Sequence, residues 1–195
     1  MVKFLSKHPL NYAMTATPTK YYSQMVYEFW YSCNNNKEQK GMIGTILNGS
    51  QALLINPRIL REVLQLPIKE KGKYDDLVDM EEISNMLGHT RYESLPFEGS
   101  MFLRRKLFAT YNYLFANLLF CFSCKIGSLD QFSSNEAQVA YAMVMGKTID
   151  IGRWLYTEMR EIIEKKSLAD AVRFPRFLAW CFEYELRPKY IQVDL

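Results

Sequence analysis

Histidine occurs only twice in the sequence, at His8 and His89, and cysteine four times, at Cys33, Cys121, Cys124 and Cys181. Two of the cysteines form Cys121-Phe122-Ser123-Cys124, but no second pair exists to complete a four-ligand zinc site. A redox CxxC belongs at a helix N-terminus, where the thiolate is stabilised. This one follows a long apolar stretch, at the opposite end of the helix dipole, so the thiols read as buried apolar side chains. A Walker loop and a GxGxxG turn are both missing, which removes nucleotide binding. No serine or cysteine sits in a nucleophile elbow or triad pattern, and His89 after Gly88 reads as a loop histidine. The chain also lacks an excess of one charge. Its net charge of +3 is too small to imply nucleic acid or an acidic membrane surface by itself. Lys3, Lys7, His8 and Pro9 interrupt any apolar leader, so a secretion signal is not expected and the thiols read as reduced and intracellular, with nucleus or cytoplasm left open. No enzyme activity, cofactor or metal is expected.

The one long uncharged run, Leu107 to Cys124, has 18 residues and only just reaches membrane-spanning length. Thr110, Asn112, Asn117 and Ser123 interrupt it, each costly in lipid without a partner. A helix buried in a folded core, with no membrane contact, is the expectation. Internal repeats and low-complexity tracts are absent too.

What is present is a folded, aromatic-rich chain. The apolar fraction is 49% and the aromatic fraction 14%, which argues against disorder. Its length suits one domain with a core of its own. The organising stretch is Lys40 to Pro67. Asn48-Gly49 lies between two β-capable runs, Met42–Leu47 and Gln51–Ile55, and supplies the two left-handed residues of a tight hairpin turn. The sequon Asn48-Gly49-Ser50 is accordingly read as that turn. Asn56-Pro57 then gives an N-cap and a first-turn proline. Ile59, Leu60, Val63 and Leu64 follow at helical spacing, and Pro67 closes the segment.

The rest reads as helix. A stripe of Tyr22, Met25, Val26, Phe29 and Trp30 predicts a helix from Thr19 to a turn at Cys33–Asn36. Ile68–Asp79 reads as a charged loop. Asp79 caps a short helix to Leu87, with Gly88 as its C-terminal glycine. A long helix is expected from Ser100 to Phe122, with Leu103, Leu107, Leu114 and Leu118 on one side and Phe108, Phe115 and Phe122 beside them. Ser133 and Glu136 form a capping-box pattern ahead of a helix that stops at Gly146. Asp150 opens a helix bearing Trp154, Leu155, Met159 and Ile163, ending at Lys165-Lys166. A last helix starts at Pro175 and ends before Pro188. The fold class is therefore mainly α, a single helical domain at 19–187 with one hairpin at 41–55 packed on the helices. A loose N-terminal arm at 1–18 and a tail at 188–195 flank it.

These elements, in order, resemble a known family. Leu47-Asn48-Gly49, Leu53–Ile55, Asn56-Pro57, Ile59, Leu64, Leu66-Pro67 and Tyr74 resemble the plant domain named for transposon proteins. So do the Leu103–Leu119 segment with Asn117-Leu118, Ile149-Asp150-Ile151-Gly152 after the Ser134–Gly146 helix, and Val172-Arg173-Phe174-Pro175. The resemblance spans roughly residues 25–186. Tyr92 stands where that family is expected to carry tryptophan, and Leu119-Phe120-Cys121 lacks a proline after the long helix. The resemblance implies a plant mobile-element setting and carries no catalytic residues with it. A transposase would need three acidic residues gathered on an RNase H-like sheet around two metal ions. Asp75, Asp76, Asp79, Glu81 and Glu82 instead crowd one loop and helix start, and read as solvated charge.

Two binding functions remain. The first is a non-catalytic module that self-associates or binds a protein partner. Its candidate contacts are Tyr21, Tyr22 and Tyr27 near the N-terminus and Trp180, Tyr184 and Tyr190 near the C-terminus, because Tyr, Trp, Phe, Met and Arg are enriched in interface cores. The alternative is a nucleic-acid-binding module in which Arg104, Arg105 and Lys106 contact phosphates beside Tyr111 and Tyr113.

Overall fold

Asn48 and Gly49 both take left-handed backbone angles (φ 55° and 82°), and the Ser50 N–H donates to the Leu47 carbonyl across them at 3.2 Å. That turn joins β2 (Gly41–Ile46) to β3 (Gln51–Ile55), with Met42 opposite Ile55, Gly44 opposite Leu53 and Ile46 opposite Gln51. Met42, Gly44, Ile46, Leu53 and Ile55 are buried, so the register places one apolar face inward. A third strand, β1 (Asn34–Asn36), pairs antiparallel with β2, where the asparagines had suggested a turn. Asparagine is disfavoured in strands, yet an edge position asks little of its side chain.

The computed structural model describes residues 6–68, 74–93, 102–123, 129–165 and 171–190, and of 187–190 the backbone alone. Over these the protein is mainly α-helical with two small antiparallel sheets. It divides into two compact units, one of residues 15–66 and 151–195, the other of residues 1–14 and 67–150.

In the first unit, α2 (Ser23–Ser32) lies on β2, with Met25, Val26, Phe29 and Trp30 buried. The helix starts at Ser23, four residues later than its apolar stripe suggested. The Ser32 hydroxyl accepts from the Thr45 N–H at 2.7 Å and fastens its end to the strand. Then comes α3 (Pro57–Val63), capped by the Asn56 side chain, which accepts from the Ile59 N–H at 3.0 Å. Leu60, Val63, Leu64 and Leu66 are buried, while Ile59 is only half-buried. α7 (Ile151–Lys165) packs on α3. Gly152 makes the approach feasible, since a Cβ there would stand 3.0 Å from the Pro57 carbonyl oxygen. α8 (Pro175–Tyr190) runs on through Pro188, past the stop expected there.

The second unit contains α1 (Asn11–Thr15), α4 (Met80–His89), α5 (Ala109–Phe122) and α6 (Ser134–Met145). The expected arm at 1–18 is packed where it is described: Leu10, Ala13 and Met14, at i, i+3 and i+4, are buried. In α4, Asp79 caps by accepting from the Glu82 N–H at 2.9 Å. Gly88 lies inside α4, and Arg91 takes the left-handed position instead (φ 54°). α6 has both halves of its capping box and ends at a left-handed Gly146.

The expected helix from Ser100 is shorter. Phe102–Leu103 form β4, paired with β5 (Gln131–Phe132), then Arg104–Lys106 make one 3-10 turn before α5. Aromatic packing decides this. The Phe102 and Phe132 rings stack at 4.6 Å, Phe115 lies 5.2 Å from Phe132, and the Tyr92 ring meets Phe102 edge-on at 6.2 Å. The Tyr92 hydroxyl accepts from the Leu103 N–H at 3.1 Å. A tryptophan there could only donate, and would leave that amide without this acceptor.

Candidate partner-binding surface

Burial of Met25, Val26, Phe29 and Trp30 turns the other side of α2 to solvent. Tyr27 and Tyr31 lie one turn apart on that side, their rings stacked at 6.0 Å and 14°. Tyr21 is 54% exposed, Tyr27 52% and Leu47, at the hairpin turn, 44%. Partial burial and then the neighbouring Tyr27 push the Tyr21 phenol upward. Glu28 sits between this row and the hairpin, where its carboxylate accepts from the Asn48 N–H at 3.0 Å and the Gln24 amide at 3.1 Å. Tyr22 is half-buried at the helix start.

The C-terminal candidates divide. Trp180 is only 4% exposed and lies under the Arg176 guanidinium, 5.2 Å from its ring. It belongs to the core and is withdrawn as a contact: its position one helical turn from Phe177 turns it inward. Tyr184 is 47% exposed, and its hydroxyl donates to the Glu62 carboxylate, which also accepts from Arg58 Nε at 2.8 Å. Those two hydrogen bonds, Arg58 first, hold Glu62 below the usual carboxylate range, and the same bond raises the Tyr184 phenol. The Tyr190 side chain lies outside the described residues.

The basic turn offers less than its sequence suggested. Arg104 Nε donates to the Leu129 carbonyl at 3.0 Å, and its Nη1 donates to the Asn112 side chain. These two bonds hold the 3-10 turn to α5 and to the 129–130 loop, so part of the Arg104 guanidinium is taken up within the fold. Arg105 is 71% exposed but pairs with Asp130 at 3.5 Å. Lys106 is half-buried, Tyr111 half-buried and Tyr113 exposed. Sequence reasoning passed over Arg91, whose guanidinium lies over the exposed Phe108 ring at 5.3 Å. Seventeen residues separate them, and no short-range pattern links the two.

Cys121 is half-buried, with its Sγ donating to the Met14 carbonyl at 3.3 Å, while Cys33 and Cys181 are buried. Burial pushes the Cys181 thiol up to about 12. Cys124 lies outside the described residues. Among the described residues no three His, Cys, Asp or Glu side chains come together as a metal site, and no helix is long and apolar enough to cross a membrane. Of the acidic run, Asp75 binds Thr148, accepting its N–H and donating to its carbonyl, and Asp79 is spent as the α4 cap. No family model matches the chain, and no curated protein or solved structure matches it.

Proposed function

We propose that the protein is a non-catalytic interaction module that assembles with itself or with another protein through the tyrosine face of α2. The supporting observation is Tyr27, 52% exposed and stacked on the half-buried Tyr31, with Tyr21 and Leu47 of the same unit also exposed. Tyrosines give large, stiff contact area at little entropic cost, and a contiguous exposed patch of them is the mark of a contact surface. The resemblance to the plant mobile-element domain supplies a setting, in which the partner is a second copy or another element-encoded protein. The test is light scattering on the purified chain and on Tyr27→Ala, together with salt-titrated binding to a labelled oligonucleotide. Self-assembly that weakens in Tyr27→Ala supports the reading.

A strictly monomeric protein that binds oligonucleotide with a steep salt slope promotes the second reading, nucleic-acid binding. What favours that reading is the Arg91 guanidinium over the half-exposed Phe108 ring, together with the exposed Arg105 in the same unit.

A further inference from the structure

The electrostatics of the α2 face say what kind of segment it would take. The Glu28 carboxylate is held only by neutral donors, the Gln24 amide on Oε1 and the Asn48 N–H on Oε2. At the Tyr21 end, Glu183 Oε1 accepts from the Lys20 backbone N–H at 2.8 Å. Among the described residues no Lys or Arg forms an ion pair with either carboxylate. Each carboxylate oxygen has two lone pairs, so both groups keep acceptor capacity toward solvent. Glu28 precedes Tyr31 by three residues, which puts the two side chains on one side of α2, and Tyr31 in turn stacks on Tyr27.

Exposed tyrosine faces attract cations through the ring quadrupole, and a planar guanidinium can stack on a ring while its N–H groups reach a carboxylate. Phosphates, by contrast, would meet an unneutralised carboxylate here. We infer that the segment docking on this face is cationic: a stretch of partner protein carrying arginine or lysine, laid along α2 with a side chain over the exposed Tyr27 ring and its charge toward Glu28. The inference rests on the proposed function, because it names the partner chemistry for the same surface.

The probe is acetyl-tetraarginine amide, titrated to millimolar concentration into the ¹⁵N-labelled full chain, with acetyl-tetraglutamate amide as the comparison. The expected result is a saturable set of amide shifts over α2 and the hairpin turn, with Asn48 among the largest because its N–H bonds Glu28. Glu28→Gln keeps an acceptor for that N–H and removes the charge, and should weaken binding roughly two- to fivefold. Tyr27→Ala should weaken it by a similar factor of about two to five. Asp130→Asn, in the other unit, should leave the affinity unchanged. No saturable shift at α2, an equal affinity in Glu28→Gln, or a preference for tetraglutamate would each overturn the inference. If the arginine peptide fails to bind while Tyr27→Ala still abolishes self-assembly, the cationic partner is wrong and the surface survives. If Tyr27→Ala changes neither readout, both fall.

Discussion

Gly44 is a position in the first unit with no room for a single added methyl group. It lies on β2 directly beneath α2. A Cβ built there would stand 2.7 Å from Phe29 Cδ2, 2.9 Å from its Cε2 and 2.8 Å from the Phe29 carbonyl oxygen. Carbon atoms prefer separations of about 3.5–4.0 Å, so the helix would have to lift by most of an ångström. Lifting it strains the 2.7 Å bond from the Thr45 N–H to Ser32 and the edge contact of Phe29 with Phe182 at 5.6 Å. Against this, alanine restricts the unfolded chain, worth about 0.4–1 kcal/mol, and buries a methyl worth about 0.8 kcal/mol. Overpacking costs about 1–3 kcal/mol. The high end applies here because a backbone carbonyl cannot rotate aside.

Gly44→Ala should therefore destabilise the unit by about 1–2 kcal/mol, lowering Tm by about 2–8 °C. All three tryptophans, Trp30, Trp154 and Trp180, fall in this unit. Urea unfolding followed by tryptophan fluorescence thus reads it directly, as a lower midpoint at unchanged slope. Adding Phe29→Leu should recover part of the loss, leaving a coupling of about 0.5–3 kcal/mol between the two sites. A Gly44→Ala protein as stable as wild type, or more so, would refute the close packing of helix on strand.

Leu64 is fully buried after α3, and Leu64→Ala should cost about 2–5 kcal/mol in the same fluorescence assay, where a loss under half of 1 kcal/mol would count against the core placement. His8 accepts the Leu10 N–H on Nδ1 at 3.1 Å, and burial lowers its pKa below 6.5. The folded state therefore favours neutral His8. Its contribution is complete above pH 6.5 and is lost as the pH falls through the lowered folded value. An NMR titration midpoint at or above 6.5 would contradict this. Cys181, with its thiol pushed up to about 12 by full burial, should resist iodoacetamide at pH 8 until urea unfolds the chain. Rapid labelling in the native state would show the site to be open.

Much of the fold is local chemistry and could be read along the chain. Asn48-Gly49, Asn56-Pro57, Asp79, the Ser133–Glu136 box and Gly146 all act as their residue types dictate, because a cap or tight turn is decided within four residues. The apolar stripe of α2 was equally legible, and from it the solvent side that carries Tyr27. What the sequence could not determine depended on residues distant in the chain. Phe102 leaves the helix expected from Ser100 because Phe132 and Tyr92 receive it. Asn34–Asn36 become a strand because β2 offers an open edge. Gly88 stays helical because Arg91 takes the left-handed turn. The candidate contacts divide for the same reason. Arg104 and Trp180 carry the right chemistry for binding, but Asn112, Leu129 and the core around Phe177 and Phe182 claim them first. Tyr21 and Tyr27 remain outside, and the hairpin turn brings the Asn48 N–H to Glu28 beside them, a pairing across twenty residues that only the tertiary fold produces.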